Sequence, residues 1–156
     1  MEEKMRKIAL ISSTGGHWTQ LSILFNELQN TKTELQIVTE KNKSNILNDN
    51  LLFLHQQDRK NKYFLAIFIL NIIKSLYYVI KFRPNYVIST GAGVVIPYLV
   101  FSKIFGAKII FIESYAKINS PTMTGKIVYK FADEFFVQWP DMLKFYPKAY
   151  YKGSLY

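Results

Sequence analysis

The chain has 156 residues, of which 20 are Lys or Arg and 11 are Asp or Glu, so its formal net charge is +9. This length suits a single domain, and the 12 Phe and 11 Tyr residues exclude a disordered chain, which would be poor in aromatics. The absence of cysteine excludes a disulfide scaffold, a cysteine-ligated metal and a thiol nucleophile. The first residues include acidic side chains and only a short apolar run, which is not typical of a signal peptide.

Strand-like and helix-like segments alternate along the chain. Short apolar runs predict strands at 7–12, 34–39, 51–54, 86–89, 108–112 and 134–137. Helical spacing or a helix-start signal predicts helices at 18–29, 63–80, 94–105 and 121–131, and a short one from 140. Ser120 is the expected N-cap of the helix at 121–131, with Pro121 in its first turn, and 41–50 is a predicted loop. The alternation predicts one α/β domain over residues 1–156, with a Rossmann-like parallel sheet and helices on both faces.

The most apolar segment is a predicted helix at 63–81. Its residues 63–80 would extend about 27 Å at ~1.5 Å per residue, near the lower limit for crossing a bilayer. Asn71, Lys74, Ser75 and Tyr78 form a polar stripe along it, and a lipid-facing lysine at mid-membrane is costly. We therefore expect the helix to lie on an anionic membrane surface, with burial in the fold and spanning as alternatives. The expected membrane contacts are Arg59, Lys60, Lys62, Phe64, Phe68, Ile72, Lys81 and Arg83.

The basic excess points to an anionic partner, which can be a membrane surface, a nucleic acid or a phosphorylated ligand. The positive charge is spread along the chain and the aromatic residues fall inside apolar runs, so no nucleic acid is expected. The chain has only two histidines, His17 and His55, and its acidic residues are scattered. That pattern contains no metal-ligand spacing, and neither a metal nor a cofactor is expected.

Two glycine-containing loops follow predicted strands, at the sheet edge where open α/β sheets bind their ligands. Glycine lets a ligand approach the backbone closely, and the helix that follows directs free N–H groups to the same point. The loops contain neither the dinucleotide fingerprint nor a P-loop. They can form a diphosphate cradle or simply tight turns. The candidate diphosphate-binding residues are Ser13, Thr14, Gly15, Gly16, Thr90, Gly91, Ala92 and Gly93.

Two titratable residues close to these loops are candidates for catalysis. His17 lies where a base can reach an incoming hydroxyl, although it can also serve only to cap the helix. Glu113 directly follows the predicted strand at 108–112. It can hold a substrate hydroxyl or orient His17, or it can be an exposed loop residue near a helix start.

The order and spacing of these motifs resemble the acceptor-binding N-terminal half of GT-B glycosyltransferases of the MurG type. Residues 12–17 are similar to the Gly-Gly-Thr-Gly-Gly-His loop, and residues 89–97 resemble the second glycine-rich loop. Residues 106–114 resemble the strand ending in His-Glu-Gln-Asn, with Glu113 in the Glu position and Ser114 and Tyr115 replacing Gln and Asn. Residues 151–154 resemble the passage into the C-terminal half.

A closer resemblance is to the PssD/CpsF-like proteins of bacterial capsule and exopolysaccharide synthesis. These are relatives of the membrane-anchoring subunit of the two-subunit enzyme that adds the second GlcNAc to dolichol-linked oligosaccharide. The resemblance implies a chain on the cytoplasmic face of the cell membrane that binds an undecaprenyl-diphosphate-linked saccharide and docks a separate UDP-sugar-binding chain. It implies His17 or Glu113 as the general base and no protein-bound metal. Two alternatives remain: a self-sufficient enzyme on phosphorylated or lipid substrates, as a single chain or a dimer, and a non-catalytic membrane-binding module.

Overall fold

A seven-stranded parallel sheet forms the centre of the computed structural model, which describes residues 5–41 and 51–156. The strand order is β3-β2-β1-β4-β5-β6-β7, and every neighbouring pair is parallel. The strands are β1 (Arg6–Ser12), β2 (Thr33–Glu40), β3 (Leu51–Leu54), β4 (Tyr86–Gly91), β5 (Lys108–Ile112), β6 (Glu134–Val137) and β7 (Tyr150–Tyr151). The order reverses at β1 and β4, so the loops that follow these two strands are neighbours at the carboxyl edge.

Helices cover both faces of this sheet, which confirms the predicted Rossmann-like architecture. They are α1 (Gly16–Leu28), α2 (Phe64–Phe82), α3 (Ile96–Ile104) and α4 (Met123–Val128), with 3₁₀ helices at Gly93–Val95 and Pro140–Lys144. Successive strand residues point to opposite faces. Ile8 and Leu10 therefore pack with Leu21 of α1, whereas Ala9 and Ile11 belong to the larger core that contains Val79 of α2.

The predicted strands are all present, and three of them have the predicted bounds. Strand β4 is two residues longer than expected and includes the first glycine of the second loop. Strand β7 was missed because it is only two residues long. Residues 42–50 of the predicted loop lie outside the described residues.

The predicted helices are also present, and each of their boundaries lies within three residues of the predicted one. The prediction of Ser120 as an N-cap was wrong. Thr122 caps α4, and its hydroxyl accepts a hydrogen bond of 2.8 Å from the Gly125 N–H. The segment expected to be one helix from residue 94 begins with the 3₁₀ turn at Gly93–Val95 before α3.

The polar stripe of α2 faces the domain. The Asn71 side chain accepts a hydrogen bond from the His55 N–H (2.8 Å) and donates one to the His55 carbonyl (2.9 Å). Lys74 Nζ and the Tyr78 hydroxyl both donate to the Phe53 carbonyl, each at 3.1 Å. These contacts hold α2 against the end of β3 and the residue that follows it. By length and composition alone, α2 would be sufficient to cross a membrane.

The face of α2 away from this stripe is apolar and exposed to solvent. Leu65 is 68% exposed and Ile73 is 59% exposed, which is unusual for large aliphatic side chains of a folded domain. The other large apolar side chains that α2 exposes are those of Ile69, Leu70, Tyr77 and Ile80.

Candidate functional site

The two glycine loops are joined by a backbone hydrogen bond at the carboxyl edge of the sheet. Ser13 N donates to the Gly91 carbonyl at 2.9 Å. Gly15, the N-cap of α1, has φ +71°, and Gly91 has φ +101°, a region that favours glycine. Among the described residues, no partner is seen for the N–H groups of Thr14, Gly15 and Gly16. This edge therefore presents free donors next to the positive end of α1, an arrangement suited to an anion.

His17 is held between the two loops and is half-buried. Its ring packs on Gly91, where a Cβ would lie 3.0 Å from Cε1 and 3.1 Å from Nδ1. Nδ1 faces the Thr90 carbonyl, and the Thr90 hydroxyl donates back to the His17 carbonyl at 2.8 Å. Because a carbonyl oxygen can only accept, Nδ1 is the donor, and the neutral ring carries its lone pair on Nε2. That tautomer is the one a general base needs.

Glu113 occupies a buried position, only 1% exposed, so the alternative of an exposed loop residue was wrong. Its carboxylate accepts hydrogen bonds from Ser114 N (2.8 Å), Thr122 N (3.1 Å), the Thr122 hydroxyl (2.8 Å) and the Tyr146 hydroxyl (2.7 Å). Within the part of the chain that the structure describes, it makes no bond to His17. Glu113 thus fastens the loop that follows β5 to the start of α4 and to Tyr146.

Tyr146 remains a donor in this cluster because its pKa is raised well above the ordinary value, first by burial and then by its hydrogen bond to Glu113. Gly125 lies against the same groups. A Cβ at this position would overlap Glu113 Oε2 and lie 2.5 Å from the Tyr146 hydroxyl oxygen. The packing around Glu113 therefore requires glycine at residue 125.

Gln138 is a buried residue of the site region that sequence reasoning missed. Its Nε2 donates to the Glu113 carbonyl at 2.8 Å, and its Oε1 accepts from Leu155 N at 3.0 Å. Gln20 of α1 contacts the same Oε1 at 3.4 Å. The only available signal was a polar residue directly after the apolar strand at 134–137, which does not reveal its partners.

A cavity of about 400 Å³ opens beside the two loops. Three of its lining residues, Arg59, Phe64 and Phe68, were predicted to contact the membrane, and sequence reasoning missed two others, Glu40 and Gln57. The full lining is Ser13, Glu40, Gln57, Arg59, Phe64, Phe68, Ala92, Gly93, Val94 and Ile96. Glu40 is 6% exposed and its Oε1 accepts a hydrogen bond from Gln57 N at 2.9 Å. The cavity thus combines a guanidinium, a buried carboxylate, glycine-loop backbone and aromatic rings.

The other predicted membrane contacts lie outside this cavity. Lys60, Lys62, Lys81 and Arg83 are exposed at the two ends of α2, and Ile72 is half-buried. Arg83 stacks over Phe105, with its guanidinium carbon 4.7 Å from the ring centroid. Across residues 5–41 and 51–156, the acidic and histidine side chains form no group of three or more that could hold a metal ion.

Comparisons with known proteins identify relatives at the level of sequence. Residues 30–155 match the model of a family described as "Oligosaccharide biosynthesis protein Alg14 like". The UDP-N-acetylglucosamine transferase subunit ALG14 of Kluyveromyces lactis is 39% identical over 79 residues, which cover 47% of this chain and 34% of that protein. The human protein of the same name is 24% identical over 177 residues, covering 95% of this chain and 82% of its own length.

Solved structures with the same fold share little sequence with this chain. Acinetobacter baumannii MurG has a TM-score of 0.71 at 15% identity, covering 87% of this chain and 42% of its own. UDP-N-acetylglucosamine 2-epimerase from Rickettsia bellii has a TM-score of 0.76 at 15% identity, covering 97% and 45%. These likenesses confirm the predicted fold class, and the chain spans less than half the length of either structure.

Proposed function

Because the chain belongs to the family of Alg14-like oligosaccharide biosynthesis proteins, we propose that it is the membrane-associated, acceptor-binding subunit of a two-chain glycosyltransferase. Its relatives in Kluyveromyces lactis and human are named as subunits of a UDP-N-acetylglucosamine transferase. In this proposal residues 1–156 form one acceptor-binding domain, and a separate chain supplies the UDP-sugar. The observation that carries it is the cavity at the β1 and β4 loops, which lies next to a helix with an exposed apolar face.

The acceptor in this proposal is a saccharide linked to undecaprenyl diphosphate, used in capsule or exopolysaccharide synthesis. The resemblance of the loop at 12–17 to the PssD-like proteins supports that context. The diphosphate is bound by the free N–H groups of the first loop and by the backbone of Gly91, Ala92 and Gly93, with the positive end of α1 directed at it.

The three faces of α2 support the proposed membrane position. Three side chains of the polar stripe, Asn71, Lys74 and Tyr78, are hydrogen-bonded to the domain. The aromatic pair Phe64 and Phe68 faces the cavity, and the remaining apolar face is exposed. Cationic side chains at both ends suit an anionic lipid surface. We place the helix flat on the cytoplasmic face of the membrane. A membrane-crossing orientation of α2 would break the hydrogen bonds of Asn71 and Lys74 to the backbone of the domain.

His17 is the proposed general base for the transfer step. Its Nε2 takes the proton from the acceptor hydroxyl as that oxygen attacks the anomeric carbon of the UDP-sugar, and the bond to UDP breaks as UDP leaves. Thr90 holds the ring in the required tautomer. Glu113 is assigned to holding the loop after β5, since its oxygens already accept four hydrogen bonds.

Sugar transfer from radiolabelled UDP-sugars to lipid-linked acceptor in membranes tests the two-chain arrangement. The assay compares this chain alone, a candidate donor-binding chain alone, and both together. Transfer that needs the mixture supports the proposal. Equal transfer by the donor-binding chain alone refutes it, and transfer by this chain alone establishes the self-sufficient enzyme instead.

His17→Ala then tests the catalytic assignment in the active mixture. We expect kcat to fall by about 10²–10⁴-fold, the usual contribution of a placed base, while the amount of partner recovered by pull-down stays unchanged. His55→Ala is the matched control, because that side chain is exposed and, among the described residues, only its backbone is hydrogen-bonded. A smaller loss, or a loss that follows partner recovery, would assign His17 a structural role.

A further inference from the structure

Gln138 is a buried amide that joins three separate segments of the chain. It is 4% exposed and directly follows β6. Its Nε2 donates to the Glu113 carbonyl at 2.8 Å, and its Oε1 accepts from Leu155 N at 3.0 Å. Gln20 Nε2 of α1 lies 3.4 Å from the same Oε1. The amide therefore contacts the loop after β5, the segment after β7 and the first helix at one point.

The partners of this amide determine its orientation and the residue type that the position needs. The Leu155 N–H can only donate and the Glu113 carbonyl can only accept, so Oε1 of Gln138 faces the former and Nε2 the latter. Because Gln20 faces an oxygen, it presents its own NH₂ group. An ionised glutamate at residue 138 would lack the donor and a methionine would lack both groups, so this network requires an amide.

Helix α1, which carries His17, has few buried contacts. Of its 13 residues, the buried ones are Gln20 and Leu21. Leu21 belongs to an apolar cluster, and apolar contacts are non-directional. Gln20 lies three positions after His17, so the two side chains are neighbours on the helix surface. The contact between Gln20 and Gln138 therefore gives α1 a directional restraint close to the histidine.

This restraint spans the carboxyl edge of the sheet. Helix α1 follows β1 and Gln138 follows β6, and β4 and β5 lie between these two strands. Three strand spacings amount to about 14 Å. Buried hydrogen-bond networks make one arrangement of the groups that they join rigid. The two glutamines thus fix the separation between α1 and the far side of the edge at which the glycine loops lie.

We propose that Gln138 is a positioning residue for the sugar-transfer step. Through Gln20 it sets the position of α1, and thereby the distance from His17 Nε2 to the acceptor hydroxyl. Thr90 holds the tautomer of the histidine ring, whereas Gln138 holds the helix that carries the ring. This inference rests on the proposed function and adds to it a residue that acts through the helix rather than on the substrate.

Kinetics of the two-chain mixture test this role. Gln20→Met leaves the bonds from Gln138 to Glu113 and Leu155 in place. We expect it to lower kcat about 10-fold, because a misplacement of about 1 Å can cost ~10²-fold in rate, and to change KM for the acceptor less than about twofold. Gln138→Met should lower kcat at least as much. Gln29→Met, at an exposed side chain at the end of α1, is the matched control and should leave kcat unchanged. An unchanged kcat in Gln20→Met would overturn the proposal.

The same substitution in the His17→Ala background separates positioning from a purely structural role. If Gln20 acts through His17, adding Gln20→Met to His17→Ala should lower the remaining rate less than about twofold, because residues that act as a unit have non-additive effects. A substitution that only reduced the amount of folded chain would lower both rates by the same factor. Equal factors in the two backgrounds would therefore refute the proposal.

NMR of the histidine rings tests the link in this chain alone, without a partner chain or an acceptor. The chain has two histidines, so His55, which is exposed and follows β3, serves as the internal reference. We expect Gln20→Met and Gln138→Met to shift the ring-proton signals of His17 and to leave those of His55 unchanged. Unchanged His17 signals in both variants would refute the inference.

The two kinds of measurement distinguish a failure of this inference from a failure of the proposed function. Shifted His17 signals, together with a two-chain mixture that transfers no sugar, would retain the positioning of His17 by Gln138 and refute the glycosyltransferase proposal. Sugar transfer with the wild-type kcat in both Gln20→Met and Gln138→Met would refute the inference alone.

Discussion

Gly125 is the most sharply constrained glycine of the chain, and Gly125→Ala makes that constraint measurable. The added methyl group would overlap Glu113 Oε2 and lie 2.5 Å from the Tyr146 hydroxyl oxygen. Both oxygens are buried, and the Tyr146 hydroxyl donates a hydrogen bond of 2.7 Å to Glu113 Oε2. To make room, they must separate, so the substitution breaks a hydrogen bond as well as overfilling the core. Gly16→Ala is the matched control, because a Cβ at that helical glycine meets nothing within 4 Å.

The expected cost follows from these contacts. Overpacking costs about 1–3 kcal/mol, and loss of a hydrogen bond to a buried carboxylate costs about 1.5–3 kcal/mol. Alanine returns about 1 kcal/mol through its better helix propensity. We expect Gly125→Ala to lower the free energy of unfolding by about 3 kcal/mol. At about 2–4 °C per kcal/mol for a domain of this size, Tm falls by about 6–12 °C.

Thermal melts followed by circular dichroism, together with urea titration, measure this difference. Gly16→Ala should change Tm by less than about 3 °C, because it adds no contact and lies at a helix start. If the two variants melted at the same temperature, the packing around Glu113 would not be as described, and Glu113 would again be a candidate for a catalytic role.

Three further predictions test the histidine, a buried tyrosine and the exposed helix face. Gly91→Ala and Gly153→Ala both place alanine at positive φ, +101° and +96°, but only the first presses on the ring of the loop histidine, so only the first should shift the NMR signals of its ring protons. Burial raises the pKa of the Tyr98 hydroxyl above its unfolded value of 10.0. Its stabilising effect is therefore complete below pH 10 and lost above it, and Tyr98→Phe should flatten the fall in unfolding free energy between about pH 10 and 11. Ile73→Asp, at a side chain 59% exposed, should reduce adhesion to phosphatidylglycerol vesicles at least about 10-fold without lowering Tm, whereas Tyr150→Asp on β7 should not.

Each of these predictions has an opposing result. Identical ring-proton signals of the histidine in the two glycine variants would show that the ring does not rest on Gly91. An unchanged alkaline slope in Tyr98→Phe would show that the tyrosine ionises as freely in the folded chain as in the unfolded one. Equal vesicle adhesion of the two aspartate variants would mean that the exposed face of α2 does not contact lipid.

Strand positions could be predicted from sequence because the pattern that defines them is local. The run at Lys108–Ile112 is apolar and short, and its bounds were predicted as observed. Strand β7 could not be predicted, since two tyrosines carry no pattern and the strand exists only through its pairing with β6. The helix cap was ambiguous for a similar reason. Ser120 and Thr122 can both cap a helix, and the choice is made by Glu113, which binds Thr122 from nine positions away.

The candidate site was predictable only in outline. The glycine loops follow strands, so their shared edge could be inferred from the alternation of elements. The partners of Glu113 could not, because Tyr146 is 33 positions away in the chain. Phe64 and Phe68 were predicted to contact the membrane from the apolar pattern of their helix, and Arg59 from its place among the charges that precede it. Neither signal reveals that these three side chains also line a cavity.

The docking of α2 on β3 has a consequence for the solution behaviour of this chain. Strand β3 is an edge of the sheet, and an exposed edge recruits strands of other molecules. Lys74 and Tyr78 occupy the Phe53 carbonyl, and Asn71 occupies both backbone groups of His55. The side chains that hold the helix in place therefore also block intermolecular β-pairing. Conditions that separate α2 from the domain therefore expose the hydrogen-bonding edge of β3 and the apolar surface of the helix at the same time. We expect release of α2 to lead to aggregation rather than to simple unfolding.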